Sequence, residues 1–286
     1  SAVLEALPKG TPAACHVYDE LSLSPTLAPA QRELLWDWER ELLHACELAL
    51  CSSTAQADRR EGIGNTVIHL PNGVRPEFLF RPGQPYPEGP EARAVLARLA
   101  PLPRPRYAHA GVADHRLNPE LLRALLRRDR EGSLVFLGKK DESLDKAFAA
   151  EAALHPRVAF LGEMSHDALA PALRACDVHL IAHRRTPFTD AMMPEKLAEY
   201  LATGRPVVSV SLPEIARVQR LALRPPALVV ADEPEAWAEA AFQAAAELDL
   251  RQDLQQQRIA WAAQHNWDDL GARADRALRS LLRPKP

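Results

Sequence analysis

The chain has 286 residues, 47% hydrophobic and 26% charged, with 35 basic against 38 acidic side chains and a net charge of −3. That length and balance suggest about two globular domains. They exclude a basic field wrapped around nucleic acid, and no apolar run approaches the ~20 residues of a membrane-spanning helix.

In chain order, Ala13–Tyr18, Glu47–Cys51 and Thr66–Leu70 read as strands. Between the first two, Pro29–Cys46 reads as a helix with Leu34, Leu35, Trp38, Leu42 and Leu43 on one apolar stripe. Three strands are half of a doubly wound sheet, and the chain starts at Ser1 rather than at a methionine. The expectation is a first domain, 1–80, whose upstream part lies outside this sequence. Proline crowds the stretch from Pro71 to Pro105, which suits a semi-rigid connection. We place the linker at 81–104, with a short helix at Glu91–Leu99. Six further apolar runs follow at Arg106–Ala110, Ser133–Leu137, Arg157–Leu161, Val178–Ala182, Pro206–Val210 and Ala227–Val230. Helical patterns separate them, including Asn118–Arg128, His166–Cys176 and Pro194–Thr203. This alternation predicts an α/β fold with a six-stranded parallel sheet flanked by helices, a Rossmann-like domain over 105–265. The remainder, 266–286, reads as a C-terminal helix.

The four cysteines, Cys15, Cys46, Cys51 and Cys176, form no CxxC pair and read as reduced core thiols. No signal-peptide pattern opens the sequence. Both features lead to the expectation of a cytoplasmic protein. No GxGxxG follows a strand, which argues against a nicotinamide-dependent oxidoreductase.

In an open parallel sheet, ligands bind beyond the carboxyl ends of the strands. The loop and helix after Val178–Ala182 carry the strongest signal there. Pro194 suits a first helical turn, and Glu195 and Glu199, four apart, share a face. A carboxylate can accept both hydroxyls of a ribose. Asp19 and Glu20, ending a strand of the first domain, read as a base, an acceptor contact or an N-cap. His109 and His115 border the same strand ends, as do His183 and Arg184. The pairs Arg59-Arg60 and Arg127-Arg128 read as solvated faces, Trp36 and Trp38 as helix packing, and Asn72-Gly73 as a turn.

The segment MMPEKLAEYLATGRPVV resembles the donor-site helix of GT-B glycosyltransferases, in the group written P-x-K-x-x-E-Y-L-A-x-G-x-P-V-V. HVYDELS, CELALCSS, HLPNGVRPEFLF, YAHAGVADHRLNPELL, VAFLGEMSHDALAPALRACDVHL and HNWDD resemble other pieces of the family, in its order, over nearly the whole chain from about Cys15. The resemblance implies two Rossmann-like domains facing a cleft, the first incomplete here. The first domain would hold the acceptor, the second the nucleotide-sugar. It implies a hexosyltransferase-like, metal-independent enzyme with no cofactor, using a UDP or GDP sugar as substrate in cell-surface polysaccharide or glycoconjugate synthesis.

By the same resemblance, Glu199 takes the place of the ribose-binding glutamate, flanked by Glu195 and Lys196. Lys196 could instead hold the helix to the preceding loop. Arg116 suits the basic residue that meets the diphosphate, with Lys139 and Lys140 as second candidates and Gly111 beside them. Thr189, Asp190 and Ala191, with the amides of Met192 and Met193, would face the sugar. Many retaining relatives carry a second glutamate where this chain has Ala191; Asp190 is adjacent, so Asp190 and Asp19 are the catalytic candidates. The expected partners are a nucleotide-sugar donor and a sugar or lipid-linked acceptor. Peripheral contact with the inner face of a membrane is a further expectation, as is self-association through the incomplete sheet. Two alternatives stand beside this reading: a non-catalytic or truncated nucleotide-sugar-binding relative, and a sugar-nucleotide epimerase.

Overall fold

A computed structural model describes residues 12–17, 20–63, 66–221, 228–246 and 252–282. The chain divides into two compact units. One comprises Ser1–Gly73, Arg185–Pro194 and Trp267–Pro286; the other comprises Val74–Arg184 and Glu195–Asn266.

In the first unit, β1 (Ala14–Val17), β2 (Leu48–Cys51) and β3 (Thr66–His69) form a parallel sheet in that order. Side chains alternate across a strand, so each face of β2 builds its own core. Ala49 and Cys51 pack with Val17, Leu43 and Ala57. Leu48 and Leu50 pack with Leu70 and with Leu270 of the Trp267–Leu281 helix. The C-terminal helix therefore covers one face of the sheet formed by the start of the chain.

Two sequence expectations fail in this unit. The stripe expected on the Pro29–His44 helix is not buried: only Leu43 is, while Leu34 and Trp38 are 46% and 57% exposed. Hydrophobic spacing marks a face but does not supply the element that covers it. Arg60 is not on a solvated face. It is fully buried, ion-paired with Glu20 and Glu39, and it donates to the Gln56 carbonyl at 2.8 Å. Arg59 joins the same carboxylate of Glu20, donates to Ser22 Oγ at 2.9 Å, and lies 3.8 Å above the Trp36 ring.

The second unit carries all six expected strands: β4 (Arg106–Ala110), β5 (Ser133–Leu137), β6 (Val158–Phe160), β7 (Val178–Ile181), β8 (Val207–Ser209) and β9 (Leu228–Val230). Ala227, placed at the start of the last run, lies outside the described residues. The strands are parallel in the order β6-β5-β4-β7-β8-β9. Every residue of β4, β5 and β7 is buried, as a sheet covered on both faces requires.

Helix carboxyl ends gather at the opposite edge of such a sheet from the binding edge, and their last carbonyls lack intrahelical donors. Arginines supply them. Arg106 donates to the Ala100, Leu102 and Ala175 carbonyls, Arg174 to that of Thr203, Arg205 to that of Arg174, and Arg157 to those of Leu126, Asp129 and Gly132. The guanidinium fork reaches two or three carbonyls where an ammonium is a point charge. This gives one structural use for an arginine-to-lysine ratio of 29 to 6.

At the binding edge, β4 and β5 end in Gly111 and Gly138, with φ of +93° and +144°. A Cβ on Gly138 would lie 2.3 Å from the Gly111 carbonyl oxygen. Gly138→Ala should therefore cost about 3 kcal/mol, from left-handed strain plus a clash with rigid backbone. Urea denaturation measures this; a loss below about 1 kcal/mol would show that the two loops yield freely.

Candidate functional site

The strand order reverses between β4 and β7, so the topological switch point of the second sheet lies between them. The loops after these two strands meet there. Leu117 forms an antiparallel bridge with His183, and the Arg184 N–H donates to the Arg116 carbonyl at 2.7 Å. Two histidines face each other across the same line. His109 of β4 and His183 just after β7 pack edge to face, with ring centroids 6.4 Å apart. Both rings are buried.

The Lys196–Ala202 helix is laid against this edge by Tyr200, which is fully buried and whose hydroxyl accepts the Ala110 N–H at 2.7 Å. Lys196 reaches from its first turn to His109, with Nζ 3.5 Å from Nε2. A Cβ on Gly111 would lie 3.7 Å from that same Nζ, so glycine there leaves backbone close to the ammonium. The helix starts later than the sequence suggests. Glu195 occupies the N-cap with helical dihedrals and Pro194 lies ahead of it, outside the first turn. Proline spacing alone does not distinguish the first helical position from the residue before the cap.

The electrostatics follow from burial. Lys196 is half-buried. Desolvation, then the nearby Arg116 charge, bring its ammonium down from 10.5 to about 7, against the pull of Asp114, Glu199 and Glu195. Glu199, one turn further and also half-buried, is raised to about 7, first by desolvation and then by Glu195. His109 and His183 are held well below the ordinary histidine range, chiefly by burial and then by the Lys196 charge. The edge thus presents two neutral rings, one ammonium and one carboxylate near their titration points, and a guanidinium.

Arg116 is gripped by Asp114, its own turn-mate: Nε lies 3.0 and 2.9 Å from the two carboxylate oxygens and Nη2 lies 2.6 Å from one. Lys139 and Lys140 are both exposed, Lys139 at 3.8 Å from Asp141 and Lys140 over the Phe160 ring. His115 contacts Ser143 through its N–H at 3.3 Å and Nδ1 at 3.4 Å. Exposed Arg184 lies 3.9 Å from Asp145. Glu195 is exposed.

The other candidates belong to the first unit. Thr189 is buried and its hydroxyl accepts the Thr186 N–H at 2.9 Å, closing a one-turn capping box. The Met192 N–H donates to the Thr189 carbonyl at 3.2 Å, so that amide serves its own turn. Asp190 is paired with Arg185 at 2.5 Å. The carbonyl of buried Met193 accepts from Asn72 Nδ2 at 2.8 Å, and that of Ala191 from Ser53 Oγ at 2.6 Å. Glu20 is committed to the two arginines described above, not left as a base. Asp19 lies outside the described residues. Among the described residues, no group of three or more His, Cys, Asp or Glu side chains is placed to hold a metal ion, and no helix is long and apolar enough to cross a membrane.

Residues 115–247, which span Arg116, His183, Lys196 and Glu199, match the family described as Glycosyl transferases group 1. TuaH of Bacillus subtilis strain 168, named as a teichuronic acid biosynthesis glycosyltransferase, is 22% identical over 216 residues, covering 71% of this chain and 52% of its own. The chain spans about half the length of that curated relative. Among solved structures, Anabaena Alr3699/HepE in complex with UDP-glucose superposes with a TM-score of 0.68 at 17% identity, over 94% of this chain and 72% of its own. A glycosyltransferase from Rickettsia africae ESF-5 gives 0.66 at 12% identity, over 99% and 80%. These likenesses show the fold: α/β, GT-B, with a six-stranded parallel sheet and a smaller three-stranded one.

Three features escaped sequence reasoning. Tyr200 read as part of a motif, yet its hydroxyl is what seats the helix. Asp114 orients Arg116, a pairing that the two-residue spacing in the switch-point loop could have suggested. Asn72 and Ser53 read as a turn and a strand end, yet each binds a carbonyl of the 185–194 segment, more than a hundred residues away.

Proposed function

We propose that the chain binds a nucleoside diphosphate sugar at the β4/β7 edge and transfers the sugar to an acceptor hydroxyl in surface polysaccharide or glycoconjugate synthesis. The observation that carries this reading is the convergence of Lys196, Arg116 and Glu199 at the switch point of the parallel sheet, within the segment that matches the family. As the acceptor oxygen bonds to the anomeric carbon, the bond to the diphosphate breaks, negative charge collects on the leaving phosphate, and the hydroxyl proton passes to that phosphate or to water. Lys196 and Arg116 supply positive charge where it develops, and a preorganised charge in a half-dry site is worth more than one in water. Gly111 lets phosphate oxygens approach the backbone, and Lys139 offers a second, more solvated charge. Glu199 accepts the ribose hydroxyls, with Glu195 beside it. Thr189, Asp190 and Met193 belong to the sugar side in this reading, Asp190 being the carboxylate of that segment. The complex of the Anabaena neighbour with UDP-glucose supports UDP as the first base to test.

The test is thermal stabilisation by UDP, GDP, ADP and TDP, with and without their sugars. A nucleotide at about 100 times its dissociation constant should add ~2.7 kcal/mol. Glu199→Ala should weaken binding at least 10-fold, because a ribose diol loses its charged acceptor. No shift with any nucleotide, or equal binding by Glu199→Ala, would count against the reading.

A further inference from the structure

The His109–Lys196 contact has no counterpart in the motif, which requires neither a histidine on the strand nor a partner for the lysine. His109 is fully buried, packs edge to face with His183 and lies tilted against Phe136 with ring centroids 5.9 Å apart. A phenylalanine would offer a ring without polar atoms. Instead the ring carries two nitrogens. Nε2 lies 3.5 Å from Lys196 Nζ, and the ring also meets the backbone of Val112 and Leu180. An ammonium has three donors and no acceptor, so the contact is a bond only if Nε2 is unprotonated.

We propose that His109 is a positioning residue for Lys196, its neutral ring accepting the ammonium through Nε2 and holding the charge over Gly111. The consequence for donor binding rests on the function proposed above. Other charges and rings act on the ammonium electrostatically: Arg116 and Asp114 from the loop after β4, His183 from the end of β7, and Glu195 and Glu199 from its own helix. His109 brings a ring nitrogen within hydrogen-bond reach of Nζ. Burial keeps its ring from taking a proton of its own, so it accepts from Lys196 without competing for charge.

The experiment compares the parent with His109→Leu and His109→Gln. The six lysines are labelled at Cε, the Lys196 signal being the one lost in Lys196→Met. Gln places an amide oxygen near the position of Nε2, whereas Leu keeps bulk and removes the acceptor. In nucleotide-free protein, the Lys196 midpoint should fall by half a pH unit or more in His109→Leu and return toward the parent in His109→Gln. UDP affinity should fall about 10-fold in Leu and recover in Gln. An unmoved midpoint in Leu, or equal shifts in Leu and Gln, overturns the proposal. If UDP binds none of the proteins, the donor reading falls while the midpoint still decides the role of His109. If His109→Leu does not fold, the reciprocal readout decides: Lys196→Met should raise the midpoint of the His109 imidazole, and an unchanged midpoint rejects the contact.

Discussion

Lys196→Met should make the protein more stable at pH 6 and at the same time weaken nucleoside diphosphate binding 10- to 100-fold. Both effects come from one buried charge. The folded state holds the ammonium near 7 instead of 10.5, so between those values the unfolded chain binds more protons and the parent gains stability as pH rises. Below about 7 the lysine is charged in both states and its desolvation cost is fully present. Methionine keeps the stem's packing and removes that cost. With allowance for partial exposure the gain at pH 6 is about 1–2 kcal/mol, and it shrinks steadily from pH 7 toward 10.5. Melting curves at pH 6 and pH 9.5 should therefore show a larger increase at the lower pH. Binding moves the other way, because a charge-assisted contact to phosphate is worth about 1.5–3 kcal/mol. A variant that is both less stable and unimpaired in binding would show that Lys196 is a structural tether. Sites built for a charged ligand commonly give up stability in this manner.

Arg60→Leu should cost about 3–5 kcal/mol. Glu20 is 1% exposed and its carboxylate is shared between Arg60 and Arg59. Glu39 leans on the same guanidinium while burial already pushes its carboxyl upward. Removing the arginine strands buried negative charge, which is far worse than never having had the pair. The loss carries a pH signature. A carboxyl whose folded pKa is raised contributes stability at low pH and loses it as pH rises through the folded value. The variant should therefore weaken more steeply than the parent between pH 5 and pH 8. Adding Glu20→Gln to Arg60→Leu should recover part of the loss, because the stranded charge goes with it. Urea denaturation at both pH values reads all three proteins. A loss under 1 kcal/mol, or one independent of pH, would show that water reaches Glu20.

The two networks differ in how much of them the linear chain reveals. Lys196 and Glu199 sit three residues apart on one helix, and a local spacing suffices to read them as neighbours. Arg116 follows a strand whose apolar run is continuous, so its place at the binding edge follows from the alternation of strands and helices. The pairing of Arg60 with Glu20 joins residues forty apart, and no local pattern distinguishes an arginine pair on a helix end from a solvated face.

The second sheet was legible as six apolar runs because buried parallel strands are hydrophobic on both sides, a property each strand carries alone. Strand order was not, yet the order β6-β5-β4-β7-β8-β9 puts β4 beside β7 and so brings His109 to His183 and Lys196 to Gly111. The Pro29–His44 helix shows the converse limit: its apolar spacing marks a face, but Leu34 and Trp38 remain exposed because burial depends on what another segment brings to that face. The Trp267–Leu281 helix does bring such a cover, seating Leu270 on Leu48 and Leu50 from more than two hundred residues away. Periodicity and composition are properties of consecutive residues, and they determined the elements and the fold class. Contacts between distant segments depend on how those elements pack, and these decided which charges are buried, which are paired and which meet at the site.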